Sequence, residues 1–292
     1  MSLEIDPAAL AATYGDAARE RVGFFTDTTV CIGCKACEVA CKEWNDVPDD
    51  GFAWTGDSLD NTGELNAGTW RHVAFIEQEK PLRVPADGDG DGADPLRMLM
   101  SSDVCKHCSH AACLEVCPTG ALFRTEFGTV VVQDDVCNGC GYCVPACPFG
   151  VLDRRERPSE GAPPPGVGGV HKCTLCYDRL GEGLTPACAQ ACPTESIQFG
   201  DLAQLRARAA ERLATVQGQG YAGARLYGHD PADGVGGFGA FFLLLDEPEV
   251  YGLPPAPVDP TRRLGELWRS AAKAGAALAA VVALSALQRP RR

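Results

Sequence analysis

Sixteen cysteines fall into four groups of four, with none left over. The groups are Cys31, Cys34, Cys37 and Cys41; Cys105, Cys108, Cys113 and Cys117; Cys137, Cys140, Cys143 and Cys147; and Cys173, Cys176, Cys188 and Cys192. The third group reads C-x2-C-x2-C-x3-C-P. In that spacing, three thiolates on a short loop hold one corner each of an iron–sulfur cubane, and the fourth reaches a neighbouring cluster. The second and fourth groups widen one gap but keep x3-C-P, while the first keeps the spacing and has Lys42 in place of proline. Four such groups imply four 4Fe–4S clusters with all sixteen cysteines as iron ligands.

Other metal chemistry fits less well. Structural zinc sites pair two C-x2-C knuckles, or a knuckle with histidines, around one ion, which three cysteines in one loop followed by C-P do not suit. A Rieske centre needs two histidines in place of two cysteines; His107 and His110 stand near the second group but read as loop histidines. Asp87-Gly-Asp-Gly-Asp-Gly92 opens like a calcium loop, yet Met98 stands at the twelfth position, where a bidentate Glu is required. No Ser/His/Asp or paired-carboxylate constellation accompanies the cysteines. All-cysteine clusters leave no open position for substrate, so the chain is expected to conduct electrons and to lack an active site of its own.

Chain order suggests how the groups pair. Groups two and three lie close together, the length of one bacterial dicluster ferredoxin-like unit. Cys105, Cys108, Cys113 and Cys147 would hold one cluster, and Cys117, Cys137, Cys140 and Cys143 its neighbour. Groups one and four must then pair around the outside of that inserted unit, giving Cys31, Cys34, Cys37 with Cys192, and Cys41 with Cys173, Cys176 and Cys188. Pro118-Thr-Gly-Ala-Leu, Pro148-Phe-Gly-Val-Leu and Pro193-Thr-Glu-Ser-Ile follow three of the groups and mark duplicated units.

The surrounding elements follow from pattern and composition. In 292 residues there are only 11 Phe, 4 Trp and 3 Met, against 33 Gly and 21 Pro, so metal–thiolate bonds must supply cohesion that a small apolar core cannot. The expected fold is α+β: two stacked dicluster ferredoxin-like units and a C-terminal helix. A polar helical tail covers 1–23. The outer unit spans 24–97 and 158–200, the inner one 98–157, and a partner-contacting extension 201–263. Short strands are expected at Phe24 to Val30, at Thr129 to Gln133, and as a hairpin of Trp70 to Glu77 with Leu96 to Ser101 around an acidic tip. Asp201 should cap a helix running to about Gln217, after which the chain reads as loop until Leu264.

A net charge of −13 without a basic stripe excludes a nucleic-acid partner. Lys35, Lys42, Lys106 and Lys172 adjoin cysteines, either to offset cluster charge or as solvated loop cations. The N-terminus reads as no signal peptide, and folding in a reducing cytoplasm is expected. Residues 264–288 read as a single-pass membrane anchor, although the uncharged run Ala274 to Leu287 is only about 21 Å of helix against a bilayer core of about 30 Å. The alternative is an alanine-rich helix packed on a partner. Flanking arginines on both sides leave membrane sidedness open.

Beyond spacing, Cys31-Ile-Gly-Cys-Lys-Ala-Cys, Glu43-Trp-Asn-Asp, Cys137-Asn-Gly-Cys-Gly-Tyr-Cys and Lys172-Cys-Thr-Leu-Cys resemble the iron–sulfur (beta) subunit of membrane-bound respiratory formate dehydrogenase. Gly220-Tyr-Ala, Gly234-Val-Gly-Gly, Tyr251-Gly-Leu-Pro and Leu267-Trp-Arg extend the likeness to residues 24–275. The resemblance implies a molybdenum- or tungsten-pterin catalytic (alpha) subunit as donor and a cytochrome b (gamma) subunit that reduces quinone as acceptor. It implies the same cluster pairing. The loops Asp87–Asp94 and Pro158–Gly169 look like insertions. Nitrate, dimethyl-sulfoxide and polysulfide reductases and some hydrogenases use the same architecture, and a free polyferredoxin is the remaining alternative.

Overall fold

The computed structural model describes residues 7–49, 56, 59–79, 96–155, 168–262 and 264–287. The acidic segment Asp87–Asp94, with its calcium-like sequence, lies outside these, as does the Pro158–Gly169 loop through residue 167.

Helix α1 (Pro7–Tyr14) leads to strand β1 (Val22–Asp27), which starts two residues before the expected Phe24 and ends short of the expected Val30. Asp27 stops the strand: its carboxylate accepts from Thr29 N at 2.9 Å and turns the chain into one 3-10 turn before Cys31. Helix α2 (Ala36–Trp44) carries Cys37 and Cys41, and β2 (Arg71–Glu79) and β3 (Leu96–Val104) form the expected hairpin. Its register runs from Arg71 opposite Val104 to Glu79 opposite Leu96. Then follow α3 (Ala112–Glu115), β4 (Leu122–Arg124), β5 (Val130–Val132), α4 (Cys143–Ala146), β6 (Asp153–Arg154), β7 (Val170–His171), α5 (Tyr177–Gly181), α6 (Ala187–Gln190) and β8 (Ile197–Asp201). Asp201 caps α7 (Leu202–Gly218) by accepting from Gln204 N at 2.9 Å, as its position predicts. Strands β9 (Arg225–Tyr227) and β10 (Ala240–Leu244) precede the last helix, α8 (Leu264–Leu287).

The strand pairings tie the segments that carry the cysteines together. β1 pairs with β8, and β4 with β5. β3 pairs with β2, and β6 with β7.

Residues 201–263 are not merely appended. β10 inserts parallel to β1, giving a sheet of order β8-β1-β10-β9. Successive side chains of a strand point to opposite faces, so Phe24 packs in the core that contains the buried cysteines, and Phe25 in a second core with Leu202, Leu205 and Ala209 of α7. Phe241, Phe242, Leu243 and Leu244 are fully buried there. The expectation of a loop-rich stretch overlooked this strand. Its apolar run is short and, lying in the middle of the sheet, lacks the polar alternation that marks a half-exposed strand.

The membrane-spanning reading of 264–288 is corrected. α8 forms, but among the described residues no helix is long and apolar enough to cross a membrane. Glu266, Arg269 and Lys273 charge its first half, and alanine, which dominates the rest, contributes little apolar area. Residues Leu264 to Ala283 are exposed on every face, including Trp268 at 73%.

Candidate iron–sulfur centres

Each cysteine loop makes the same backbone turn. The residue immediately before the second cysteine has a positive φ in all four groups: Gly33 at 66°, His107 at 45°, Gly139 at 70° and Leu175 at 58°. Left-handed conformations suit glycine and cost any residue with a Cβ roughly 1–2 kcal/mol. A histidine and a leucine adopt them here, so the turn is imposed by what the loop must surround. The first group, which lacks the C-P signature, turns like the others.

Those turns bring sulfurs of different groups close together. Cys31, Cys34, Cys37 and Cys192 line one pocket, walled by Val73, Ser102 and Ile197. Cys117, Cys137, Cys140 and Cys143 line another, walled by Leu122, Val132 and Val170. Between them, burial first and then the neighbouring sulfurs Cys173, Cys188 and Cys176 push the Cys41 thiol well up. Cys108 is pushed up in the same way by burial and by Cys105, Cys113 and Cys147. Adjacent sets also touch electrostatically: Cys37 feels Cys188, Cys173 feels Cys105, and Cys113 feels Cys143. These contacts link cysteines of all four groups.

The donor set suits clusters better than a single ion. All sixteen cysteines are free thiols. Among the described residues no three His, Cys, Asp or Glu converge as one metal ion requires; the sulfurs ring volumes instead of points. Burial raises Cys113 and Cys173 to about 12 and Cys143 to about 11, so these thiols stay protonated until a bound cation makes them better acids. Cys117 alone goes the other way: burial would raise it, but the amides of Leu122, Thr119 and Ala121 and the Thr119 hydroxyl together hold it down.

Hydrogen-bond donors already address the sulfurs. Leu175 N lies 3.3 Å from Cys173 Sγ, Val170 N 3.4 Å from Cys137 Sγ, and Ser102 Oγ 3.2 Å from Cys37 Sγ. Asn45 Nδ2 reaches both Cys41 at 3.7 Å and Cys176 at 3.9 Å. Thr119 and Thr194 stand beside Cys117 and Cys192. These two threonines occupy the same place in the repeated C-P-T tails, a signal the sequence did offer.

The four lysines divide. Lys106 and Lys172 are fully buried, whereas Lys35 pairs with Glu38 at 2.9 Å and Asp60 at 3.1 Å, and Lys42 donates to Gly68 O at 2.7 Å. Lys106 Nζ is bound by Asp103 and the Val104 carbonyl and lies above the rings of Phe149 and Phe242. Lys172 donates to the carbonyls of Val130 and Cys173. His107 is buried with its Nδ1 accepting from Val130 N at 3.1 Å, and burial, with Lys172, Arg124, Arg21 and Arg71 nearby, keeps its pKa well below the usual value. It braces the loop as a neutral ring.

Sequence comparison agrees with this geometry. Two family profiles, both described as 4Fe-4S dicluster domain, match residues 30–121 and 96–202. The formate dehydrogenase-O iron-sulfur subunit of Escherichia coli (strain K12) is 40% identical over 246 residues, covering 82% of this chain and 73% of that protein. The nitrate-inducible formate dehydrogenase iron-sulfur subunit of the same organism is 35% identical over 273 residues, covering 92% and 84%. A polypeptide of its anaerobic dimethyl sulfoxide reductase is 34% identical over 195 residues, covering 66% and 80%.

Proposed function

Since the protein belongs to the family of formate dehydrogenase iron–sulfur subunits, we propose that it carries electrons from a molybdenum- or tungsten-pterin formate dehydrogenase subunit to a membrane cytochrome b that reduces quinone. The observation that supports this reading is the series of electrostatic contacts Cys37–Cys188, Cys173–Cys105 and Cys113–Cys143, which links cysteines of all four groups.

The ligands are Cys31, Cys34, Cys37 and Cys192 in the first set, and Cys41, Cys173, Cys176 and Cys188 in the second. Cys105, Cys108, Cys113 and Cys147 make the third, and Cys117, Cys137, Cys140 and Cys143 the fourth. When bound, a 4Fe–4S cluster in each set supplies a one-electron redox site. The protein's own contribution is to hold four thiolates per site, to exclude water with Phe24, Val104, Leu152 and Leu175, and to aim N–H and O–H donors at the sulfurs. It transforms no substrate itself. Helix α8, exposed on every face within this polypeptide, supports a subunit over a free carrier, and in this reading it packs against the cytochrome partner.

Purification of the native complex under anaerobic conditions tests the proposal. The protein should co-elute with a large pterin subunit, contain about sixteen iron and sixteen labile sulfide, and be reduced on adding formate. Elution alone would indicate a free carrier. Reoxidation of chemically reduced clusters by an S-oxide or another acceptor substrate of the co-eluting partner, with no reduction by formate, would indicate the reductase branch, to which the dimethyl sulfoxide reductase relative points. Deleting the residues after Leu264 should leave iron content intact and abolish delivery to quinone.

A further inference from the structure

Three cations are fully buried in the cysteine-rich core: Arg71, Lys106 and Lys172. Every contact described above gives the two lysines carbonyl, carboxylate or ring partners from the protein. Arg71 differs. Its Nη1 donates to Ser102 Oγ at 2.9 Å, and its guanidinium lies over the Phe24 ring, 4.9 Å from the centroid. Its Nε and Nη2 are buried with no hydrogen-bond partner among the described residues. An unsatisfied buried donor is costly, roughly 1–3 kcal/mol and more when charged, so a fully buried guanidinium with two orphaned nitrogens calls for an acceptor.

The charges that act on Arg71 identify that acceptor. Burial disfavours its charge, yet the sulfurs of Cys188, Cys37, Cys173 and Cys41 outweigh burial and hold the cation in place. Cys37 belongs to the first ligand set; Cys188, Cys173 and Cys41 belong to the second. Arg71 begins β2 opposite Val104, so the base of the hairpin delivers the guanidinium to the junction between the two sets.

We propose that Arg71 is a fixed cation shared by the first two clusters, donating its free N–H groups to their sulfurs and raising both reduction potentials. This rests on the four-cluster reading above. A guanidinium is protonated at every working pH, so the charge is constant and the effect electrostatic. A positive charge favours the more negative, reduced cluster, and hydrogen bonds to cluster sulfurs act in the same direction. The third and fourth clusters feel it less.

The test uses the full-length protein in its complex, with Arg71→Gln and Arg71→Lys, reading iron content and the four midpoint potentials by redox-poised electron paramagnetic resonance. In Arg71→Gln, two of the four midpoints should fall by at least a tenfold change in the oxidised-to-reduced ratio, about 59 mV for one electron, while the other two move clearly less. Arg71→Lys keeps the charge but loses the planar fork, so the same two should fall by less. Should the Gln variant not assemble, the Lys variant decides, and an unmoved set of midpoints overturns the proposal. Equal shifts of all four clusters, or no shift in an iron-replete Gln variant, also overturn it. A wild-type protein with fewer than four clusters would instead refute the underlying four-cluster reading.

Discussion

Ser102 Oγ stands 3.2 Å from the sulfur of Cys37, joining residues 65 apart in sequence. Because Arg71 Nη1 donates to the same oxygen, the hydroxyl proton is free to point at sulfur. Ser102→Ala should therefore keep the clusters but lower the potential of the one held by Cys37. A hydrogen bond to a charged group is worth about 1.5–3 kcal/mol. A redox titration in which no midpoint moves would show that the hydroxyl donates elsewhere.

Ligand exchange between groups makes a second prediction. Cys147→Ser should damage the cluster that also uses Cys105, Cys108 and Cys113, and Cys192→Ser the one that uses Cys31, Cys34 and Cys37. Each variant should lose one cluster's paramagnetic signal and retain three. If Cys147→Ser instead removes the signal lost in Cys140→Ser, group three ligates a single cluster by itself and the pairing is wrong.

Gly139 offers a steric test. Its φ is +70°, and a Cβ there would lie 2.0 Å from the backbone oxygen of Gly168. Gly139→Ala should open the loop carrying Cys137 and Cys140, with loss of that cluster and several degrees of thermal stability. Gly150 has φ +63° but nothing within 4 Å of a built Cβ, so Gly150→Ala should cost only about 1–2 kcal/mol and keep full iron. Thermal melts and iron assays on the pair separate backbone strain from collision.

Cluster assembly should depend steeply on pH. Burial raises Cys113 and Cys173 to about 12 and Cys143 to about 11, above the ordinary thiol value of 9.0. In the metal-free fold these groups remain protonated at neutral pH, and ligation must expel their protons. Raising the pH towards the raised values therefore favours iron uptake, and lowering it opposes uptake. Anaerobic reconstitution should be faster and more complete at pH 9 than at pH 7; equal yields would mean that the thiols are already ionised before iron arrives.

Cysteine number and spacing were enough to determine the cofactors, because thiolates within a loop must be close in sequence to surround one cubane. Hairpin β2–β3 and the Asp201 cap were legible for a similar reason: alternation and capping are local. The α8 helix was readable too, but its capacity to cross a membrane was overestimated from a short apolar run.

Tertiary structure alone decided the rest. Strand β10 takes its place beside β1 through pairing between residues more than two hundred positions apart, such as Phe24 and Ala240, and no local pattern encodes that. The left-handed turns at His107 and Leu175 are invisible in sequence, since neither residue type favours them; only the closed loop makes them the lower-energy choice. Arg71 stands at least 30 positions from every cysteine in the sequence. It meets Cys37 and Cys188 because the β2–β3 ladder carries it into the core, where low dielectric makes one cation count for two neighbouring sites.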